Sequence, residues 1–386
     1  MEPLCFISLD DDPNSQDMKL VIINAPTYEY ARGNPERIGG AERQQWLLAQ
    51  ALVKAGWAVT VGVREGLRFQ ERQQIEGVSF VGMGTGQFFW NCYRFLRSER
   101  PDWWYWRAAD HLWGPAVEIA KLAGVRTIFA AAFDTDVEPR RASFRRKKWW
   151  PLFAWGLYRT DKIFVQHHGQ FDRLAPIFQK KAHVVPSFSG EIRPGPPHTE
   201  RKGYIAWVGT LRQPKRGDLL IEIAKRLSEI PFIVCGGAST FQVTEEYGRQ
   251  IIKSLMELPN VTYMGKVKPW ETEKIIAEAN LFLSTADGEG FPNTFLEAWG
   301  SETPVVSLTI DPDEVIRRKG LGVIMNNLDQ VILEIRKLMA SSQLRGKMGN
   351  EARRHVQAFH SESAIVGIVQ SAVGKSSEMG CRLQNI

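Results

Sequence analysis

Residues 287–300 read DGEGFPNTFLEAWG, and they follow an apolar run of strand length, LFLS at residues 281–284. The glycines favour a turn after this strand, and a helix is expected to open near Asn293. A helix leaves its first backbone N–H groups without partners inside the helix, so its start is a ready anion site. We therefore predict α/β structure with a diphosphate bound at Phe291, Pro292, Asn293 and Thr294.

Two carboxylates flank this predicted phosphate site. Glu289 comes just before the helix and Glu297 lies just inside it. Both would repel a phosphate group if they pointed at it, whereas both would accept charge-assisted hydrogen bonds from the hydroxyl groups of a sugar or a ribose. The alternative interpretation is an acidic turn followed by a glutamate that the helix dipole favours.

Two further segments have the residues of an anion site. Residues 207–220 read WVGTLRQPKRGDLL, in which Arg212 and Lys215 would stabilise the charge on a leaving diphosphate without a metal ion. Residues 38–44 read IGGAERQ, in which Gly39 and Gly40 let the backbone approach a ligand at the start of the first long helix. Taken alone, residues 207–220 would rather indicate a solvated basic loop, and a glycine pair before a helix is a weak signal.

Strand-length apolar runs alternate with longer helical stretches from about residue 19 onward, which is typical of parallel α/β structure. The expected strands include Leu20–Pro26, Ala58–Val63, Phe232–Cys235 and Leu281–Ser284. The alternation stops once, at residues 191–203, where polar residues mix with proline and glycine. We therefore expect domains at residues 18–190 and 204–360, a linker at 191–203, and a ligand cleft between the domains.

Composition excludes several classes of protein. The chain has 386 residues, a net charge of +6 and four cysteines with no CxxC spacing, which argues against a disulfide framework or a zinc site and suits the cytoplasm. No apolar run approaches the roughly 20 residues of a membrane span, and the first residues lack a secretory signal pattern. No GxGxxG follows the first strand, and no nucleic-acid recognition motif accompanies the modest charge.

The segment from Glu289 to Glu297 resembles the Glu-x7-Glu motif of the retaining GT-B glycosyltransferases of family 4, the glycosyl transferases group 1. The resemblance implies the GT-B fold, with two facing Rossmann-like domains, parallel sheets and a central cleft. It implies that Glu289 contacts the donor sugar and that Glu297 binds the ribose of a nucleoside-diphosphate sugar. The same resemblance implies retention of the anomeric configuration and independence from any cofactor or metal. It also implies a last helix at residues 361–373 that crosses back to the first domain.

The resemblance extends to the other two segments. Lys215 matches the family lysine that contacts the donor diphosphate, whereas Thr210 stands where the family usually has arginine, so we expect Arg212 to take over that contact. The glycine loop resembles the family loop near the donor phosphates. Lys266 and Val267 resemble the turn whose backbone holds the base.

In the first domain, the strand near residues 127–132 leads into Asp134 and Asp136, where the family commonly has a histidine. Asp134 could deprotonate an acceptor hydroxyl, or it could cap the turn. The pair could instead be the Asp-x-Asp site of a metal-dependent glycosyltransferase. Arg107 follows another strand and is predicted to face an anionic acceptor. His167 and His168 are expected to point in opposite directions, as neighbours in a strand do.

A basic and aromatic cluster suggests where the acceptor is found. It comprises Arg140, Arg141, Arg145, Arg146, Lys147, Lys148, Trp149 and Trp150. Basic residues attract anionic lipid and tryptophan prefers the membrane interface, so we expect a peripheral membrane protein that acts on a glycan or lipid-linked acceptor. The alternatives are a solvated basic face with buried tryptophans and, for the whole protein, a non-catalytic protein that binds sugar nucleotides or serves as a membrane scaffold.

Overall fold

The computed structural model describes residues 18–34, 39–142, 147–238 and 244–374. Its first half contains the strands β1 (Lys19–Ile23), β2 (Ala58–Val63), β3 (Arg72–Ile75), β4 (Val78–Gly82), β5 (Trp103–Arg107), β6 (Arg126–Ala130), β7 (Lys162–Val165) and β8 (Ala182–Val184). The helices between them are α1 (Ala25–Ala31), α2 (Gly40–Lys54), α3 (Phe88–Glu99), α4 (Trp113–Ala123), α5 (Trp150–Arg159), α6 (His168–Arg173) and α7 (Pro176–Gln179).

The second half repeats the alternation. Its strands are β9 (Ile205–Val208), β10 (Phe232–Cys235), β11 (Val261–Gly265), β12 (Leu281–Ser284), β13 (Val305–Ser307) and β14 (Gly322–Ile324). Its helices are α8 (Gly217–Arg226), α9 (Thr244–Met256), α10 (Pro269–Glu278), α11 (Asn293–Gly300), α12 (Val315–Lys319), α13 (Leu328–Ala340), α14 (Ser342–Phe359) and α15 (Glu362–Val373).

The strands form two separate sheets, with the orders β3-β4-β2-β1-β5-β6-β7-β8 and β11-β10-β9-β12-β13-β14. All the described pairings are parallel except that of β3 with β4. The predicted pair of α/β units with parallel sheets is confirmed, apart from this antiparallel edge hairpin. The strand order reverses direction at β1/β5 in the first sheet and at β9/β12 in the second.

Each sheet has apolar side chains on both faces, because helices cover both. In β5, Trp103 packs with residues of α2 and α15, while its neighbour Trp104 packs on the opposite face with residues of α4 and α5. Successive side chains of a strand alternate between faces, so two adjacent tryptophans anchor two different helix layers. Helix α15 thus contributes Ile365 and Val369 to the core of the first sheet although it follows the second in the chain.

One predicted strand ends earlier in the structure than expected. The strand predicted over Leu20–Pro26 stops at Ile23, and α1 begins at Ala25 with Pro26 in its first turn. Proline has a fixed φ and no N–H, so it is well suited to the start of a helix. In the described part of the chain, no helix has both the length and the apolar character to cross a membrane.

Candidate functional site

The second sheet has a cavity at the carboxyl ends of β9 and β12, where its strand order reverses. Parallel α/β sheets bind ligands at such switch points. Lys215, Ser284, Glu289 and Thr294 line the cavity together with the ring of Trp207. The lining of this cavity therefore includes residues of two predicted anion-binding segments, 207–220 and 287–300.

Lys215 is held at this cavity through its own backbone. Its carbonyl accepts a hydrogen bond of 2.7 Å from the Thr285 hydroxyl, which in turn accepts one of 3.0 Å from the Trp207 indole N–H. The Lys215 ammonium pairs with the carboxylate of Glu289, and the two side chains are only 18% and 12% exposed. The predicted phosphate contact and the predicted sugar contact are thus neighbours.

The first turns of α2 and α11 face each other across the boundary between the two sheets. The Asn293 amide donates a hydrogen bond of 3.0 Å to the Gly40 carbonyl, and its oxygen accepts one of 2.8 Å from Gln44. Gly39 is the residue before α2 and provides no side-chain cap. Because a helix start carries partial positive charge and free N–H groups, two such starts in contact favour a bound anion.

The donors of the α11 turn differ in part from the predicted set. Pro292 has no N–H to offer, and the backbone N of Phe291 lies 3.3 Å from the side-chain amide of Gln166. Thr294 lines the cavity and Asn293 begins the helix. Asn293 and Thr294 therefore remain as candidate phosphate contacts, while Phe291 and Pro292 shape the turn.

Glu297 is buried, with 8% of its surface exposed. The guanidinium of Arg43, from α2, approaches it with an Nε–Oε1 distance of 3.4 Å and lies 4.0 Å from a second carboxylate, Glu273 of α10. Burial raises the pKa of Glu297 to about 7, against the smaller lowering effect of Arg43. Glu297 therefore changes its protonation state near neutral pH.

Arg43 and Gln44 also hold the chain between the two sheets. Arg43 donates a hydrogen bond of 2.8 Å to the Ser189 carbonyl, and Gln44 exchanges two, of 2.8 and 2.7 Å, with the backbone of Phe188. In the sequence, both residues are visible only as neighbours of the glycine pair. Their role comes from contacts with residues far away in the chain, and the only local signal for it was their position in the first turn of α2.

Asp134 lies in the turn after β6 and has three partners. Its carboxylate accepts hydrogen bonds from His167 at 2.9 Å, Arg173 at 2.9 Å and Gln170 at 3.2 Å. Burial would raise the pKa of Asp134, but the hydrogen bond and charge of His167, with the charge of Arg173, lower it overall. The lowered pKa makes this carboxylate a weak base, which disfavours Asp134 as the general base for an acceptor hydroxyl.

Asp136 is occupied by the backbone. It is buried and accepts N–H groups of Ala132 and Phe133 at 2.8 and 3.0 Å, so it caps the turn. Asp134 and Asp136 therefore serve separate partners, and the geometry does not support the metal-dependent alternative. Over residues 18–374, leaving out the gaps in the description, no group of three His, Cys, Asp or Glu side chains could hold a metal ion.

The expectation that His167 and His168 point apart was wrong. Strand β7 ends at Val165, so both histidines belong to the start of α6 rather than to a strand. Asp313, which follows β13, lies 3.4 Å from the His167 ring and 3.1 Å from the His168 ring, and also accepts the backbone N–H of His168. The histidine pair thus joins the two halves of the molecule through one carboxylate.

The other predicted contacts lie around the same cleft. Arg212 is placed over the ring of Phe133, 5.4 Å from its centroid, and so faces the first domain. Lys266 follows β11, and its Cε would lie 2.8 Å from a Cβ at Gly237. Val267 comes next, so the predicted base contact lies at the end of the edge strand of the second sheet.

The basic and aromatic cluster lies on the surface at the start of α5. The guanidinium of Arg140 stacks on Trp150 at 4.9 Å, Arg141 pairs with Glu138 at 3.1 Å, and Trp149 is 37% exposed. Lys148 is also exposed. Arg145, Arg146 and the side chain of Lys147 lie outside the described residues.

Sequence comparisons match the part of the site that lies in the second half of the chain. Residues 202–341 match the family model described as Glycosyl transferases group 1. The alpha-galactosylglucosyldiacylglycerol synthase of Streptococcus pneumoniae is 34% identical over 114 residues, which are 29% of this chain and 30% of that protein. The poly(ribitol-phosphate) alpha-N-acetylglucosaminyltransferase of Staphylococcus aureus is 24% identical over 186 residues, 46% of this chain and 36% of that protein. The alignments thus span about a third of the length of these two curated relatives.

Structural comparisons cover nearly the whole chain. The sucrose-phosphate synthase of Thermosynechococcus elongatus has a TM-score of 0.71 at 15% identity, over 92% of this chain and 97% of that one. Anabaena HepE, solved in complex with UDP and glucose, has a TM-score of 0.70 at 14% identity, over 94% of this chain and all of that one. The fold is GT-B. The predicted fold class is therefore confirmed.

The turn before α11 packs tightly against the first half of the chain at a glycine. A Cβ on Gly290 would clash with the Ala132 carbonyl oxygen and with the Gln166 side chain, both in the first domain. We expect Gly290→Ala to disfavour the closed arrangement by about 1–3 kcal/mol, the usual range for overpacking. Small-angle X-ray scattering should show a larger radius of gyration than for the unchanged protein.

Gly288→Ala is the matched control, because the nearest atom to its Cβ, in Pro214, is 4.0 Å away. The control should keep the radius of gyration of the unchanged protein. Equal radii for both variants would contradict the importance of the Gly290 contact for closure.

Proposed function

We propose that the protein is a glycosyltransferase that moves a sugar from a nucleoside-diphosphate sugar to an acceptor hydroxyl, with retention. The observation that carries this proposal is the meeting of the α2 and α11 N-termini, linked by Asn293, near the Lys215–Glu289 pair. Two helix starts and an ammonium group can stabilise the charge of a departing diphosphate without a metal ion. The match of residues 202–341 to the group 1 family model supports the same reaction.

We assign the donor contacts by chemistry. Lys215 and Arg212 would bind the diphosphate, Glu289 the transferred sugar and Glu297 the ribose diol, since carboxylates are strong acceptors for hydroxyl groups. The backbone at Lys266 and Val267 would contact the base. Membership of family 4 and retention rest on the resemblance of the Glu-x7-Glu segment.

We assign Asp134 to positioning rather than to proton transfer. Its pairs with His167 and Arg173 order the turn after β6, which faces Arg212 through Phe133. In the proposed reaction the departing diphosphate, which develops negative charge, would accept the proton of the acceptor hydroxyl. No side-chain base is then needed.

A thermal-shift screen tests the donor site. UDP, GDP, ADP, dTDP and their common sugar conjugates would be compared, because a ligand that binds only the folded state raises the melting temperature with its concentration and affinity. We expect one base to give a clear shift. The absence of a shift with every nucleotide at millimolar concentration would contradict the proposed function and favour a non-catalytic scaffold.

We further propose that the acceptor is reached at an anionic membrane surface on the cytoplasmic side. Trp155 and Tyr158 of α5 are 48% and 53% exposed and lie side by side, with a ring separation of 5.9 Å. Leu122 of the adjacent α4 is 71% exposed. Exposed aromatic groups on the helix that follows Arg140, Arg141 and Lys148 suit the interface between lipid headgroups and water.

Vesicle co-sedimentation tests this surface. The unchanged protein should bind phosphatidylglycerol vesicles at low salt and leave phosphatidylcholine vesicles unbound. Changing Arg140, Arg141 and Lys148 to glutamine should weaken binding by about 1 kcal/mol for each charge. The control changes Arg317, Arg318 and Lys319 on the exposed face of α12, and it should bind as the unchanged protein does. If both triple variants lost vesicle binding equally, the vesicles would be attracting the net charge of the protein rather than this surface.

A further inference from the structure

The first sheet has a switch point of its own, between the carboxyl ends of β1 and β5. Arg107 is the last residue of β5 and therefore lies at the edge where such sheets bind ligands. It lines a cavity whose walls are mostly apolar, with Gln44, Tyr105 and Gln166 as the other residues that have polar groups. Nothing in the assignment of the donor site uses this cavity.

The charge of Arg107 lacks a direct counter-ion. Within the described ranges, no carboxylate lies within 4.0 Å of its guanidinium, and its buried Nε has no hydrogen-bond partner. Its nearest partners are neutral: the Tyr105 hydroxyl at 3.1 Å, and the oxygen of Gln166 at 3.0 Å if that amide is turned. Two carboxylates, Glu42 and Asp136, are near enough to interact with its charge, but neither pairs with it directly, and Asp136 is occupied by backbone N–H groups.

Structural arginines in this protein have more acceptors: Arg345 also has an unpartnered Nε, but its other two nitrogens donate to three backbone carbonyls. Arg201 is buried, and all three of its guanidinium nitrogens donate hydrogen bonds, to carbonyls of Pro196, Ala279 and Ser301 among others. A partly buried guanidinium that is left without a counter-ion or a full set of acceptors destabilises the folded chain. A ligand that supplies the missing negative charge explains why such a group lies at a switch point.

Arg107 is also close to the proposed donor site. Gln166 stands between them, because its amide is 3.3 Å from the Phe291 N–H of the α11 turn and 3.0 Å from Arg107 Nη2. A small group bound at Arg107 would therefore lie one side chain away from the turn that carries Glu289. This is the side of the cleft from which an acceptor has to meet the donor sugar.

We propose that Arg107 binds a phosphate group of the acceptor and so selects a phosphate-bearing hydroxyl compound over a neutral one. The inference rests on the proposed function for the identity of the ligand as acceptor. A guanidinium presents two parallel N–H donors to phosphate oxygens, which gives orientation as well as affinity. The cavity would then hold the part of the acceptor next to its reacting hydroxyl.

Glycerol 3-phosphate and glycerol form a matched pair of probes. Binding is measured by thermal shift with the nucleoside diphosphate from the donor screen present at saturation, so that the helix starts are already occupied. We expect glycerol 3-phosphate to raise the melting temperature and glycerol to have no effect. Arg107→Gln should raise the apparent Kd for glycerol 3-phosphate at least about tenfold, since it removes a charge-assisted pair.

Arg97→Gln is the control, because Arg97 is an exposed arginine of α3. It should bind the probe as the unchanged protein does.

Nucleotide binding by Arg107→Gln shows that the variant is folded, and if it does not bind nucleotide, Arg107→Lys takes its place. Arg107→Met should have an unchanged or higher melting temperature without ligand, whereas loss of a structural arginine would lower it.

Two results would overturn the inference. One is a glycerol 3-phosphate shift that survives in Arg107→Gln, and the other is no shift in the unchanged protein although nucleotide binds. Either result leaves the donor site intact and removes only the acceptor assignment. A failure of nucleotide binding in the unchanged protein would instead remove the proposed function itself.

Discussion

Lys215→Met is expected to lower kcat by about 10²–10³-fold, the loss typical of removing one group that stabilises developing charge in a protected site. The Lys215 ammonium lies beside Glu289 in the cavity at the switch point of the second sheet. A departing diphosphate gains negative charge there, and methionine keeps the length of the stem while removing the cation. Single-turnover measurements at saturating donor separate this loss from weaker donor binding.

Arg216→Met is the matched control for Lys215. Arg216 is the next residue, but its guanidinium pairs with Asp218 at 2.7 Å and does not line the cavity. We expect its kcat to stay within about twofold of the unchanged protein, as for a surface ion pair of small energy. A kcat for Lys215→Met within threefold of the unchanged value would contradict the assigned role of Lys215.

Glu297→Gln is expected to weaken binding of the nucleotide sugar by about 10- to 100-fold. Hydrogen bonds to a charged acceptor contribute about 1.5–3 kcal/mol, and the neutral amide forms weaker ones with a ribose diol. The kcat at saturating donor should change much less, because the ribose contact is similar before and during the reaction. Isothermal titration calorimetry measures the affinity directly.

The same carboxylate makes donor binding depend on pH. Burial raises the pKa of Glu297 to about 7, and the ionised form is the stronger acceptor for hydroxyl groups. Affinity should therefore rise as the pH increases through 7 and level off above about 8. Without ligand, the free energy of unfolding depends on pH in the opposite direction. The folded chain holds the Glu297 proton more tightly than the unfolded chain does, so the stabilisation that this proton provides is lost as the pH rises from about 4.5 to 7.

A nucleotide sugar is the proper probe for this pH dependence, because a free nucleoside diphosphate has its own phosphate ionisation near pH 6. The Glu297→Gln variant should show a flat profile between pH 6 and 8. A slope that persists in the variant would assign the pH dependence to another group. Arg43→Met should move the midpoint upward, since the charge of Arg43 lowers the pKa of Glu297.

Local patterns predicted the sheets well. The strands Ala58–Val63, Phe232–Cys235 and Leu281–Ser284 have the bounds expected from their apolar runs. A buried parallel strand needs a continuous apolar run, so its limits are visible in the sequence. Errors arose where one residue type suits two structures, as with Pro26, which can follow a strand or open a helix.

The sequence by itself determined the two helix starts and the spacing of Glu289 and Glu297, because both depend only on neighbouring residues. Only the tertiary structure decided the partners of these groups: Arg43 beside Glu297, Asp313 beside the histidine pair, and Arg107 without a counter-ion. Gln44 and Asn293 are 249 positions apart in the chain, and His168 and Asp313 are 145 apart. Hydrophobic periodicity specifies which face of each element is buried, but the packing of the two domains sets which polar side chains meet across the cleft.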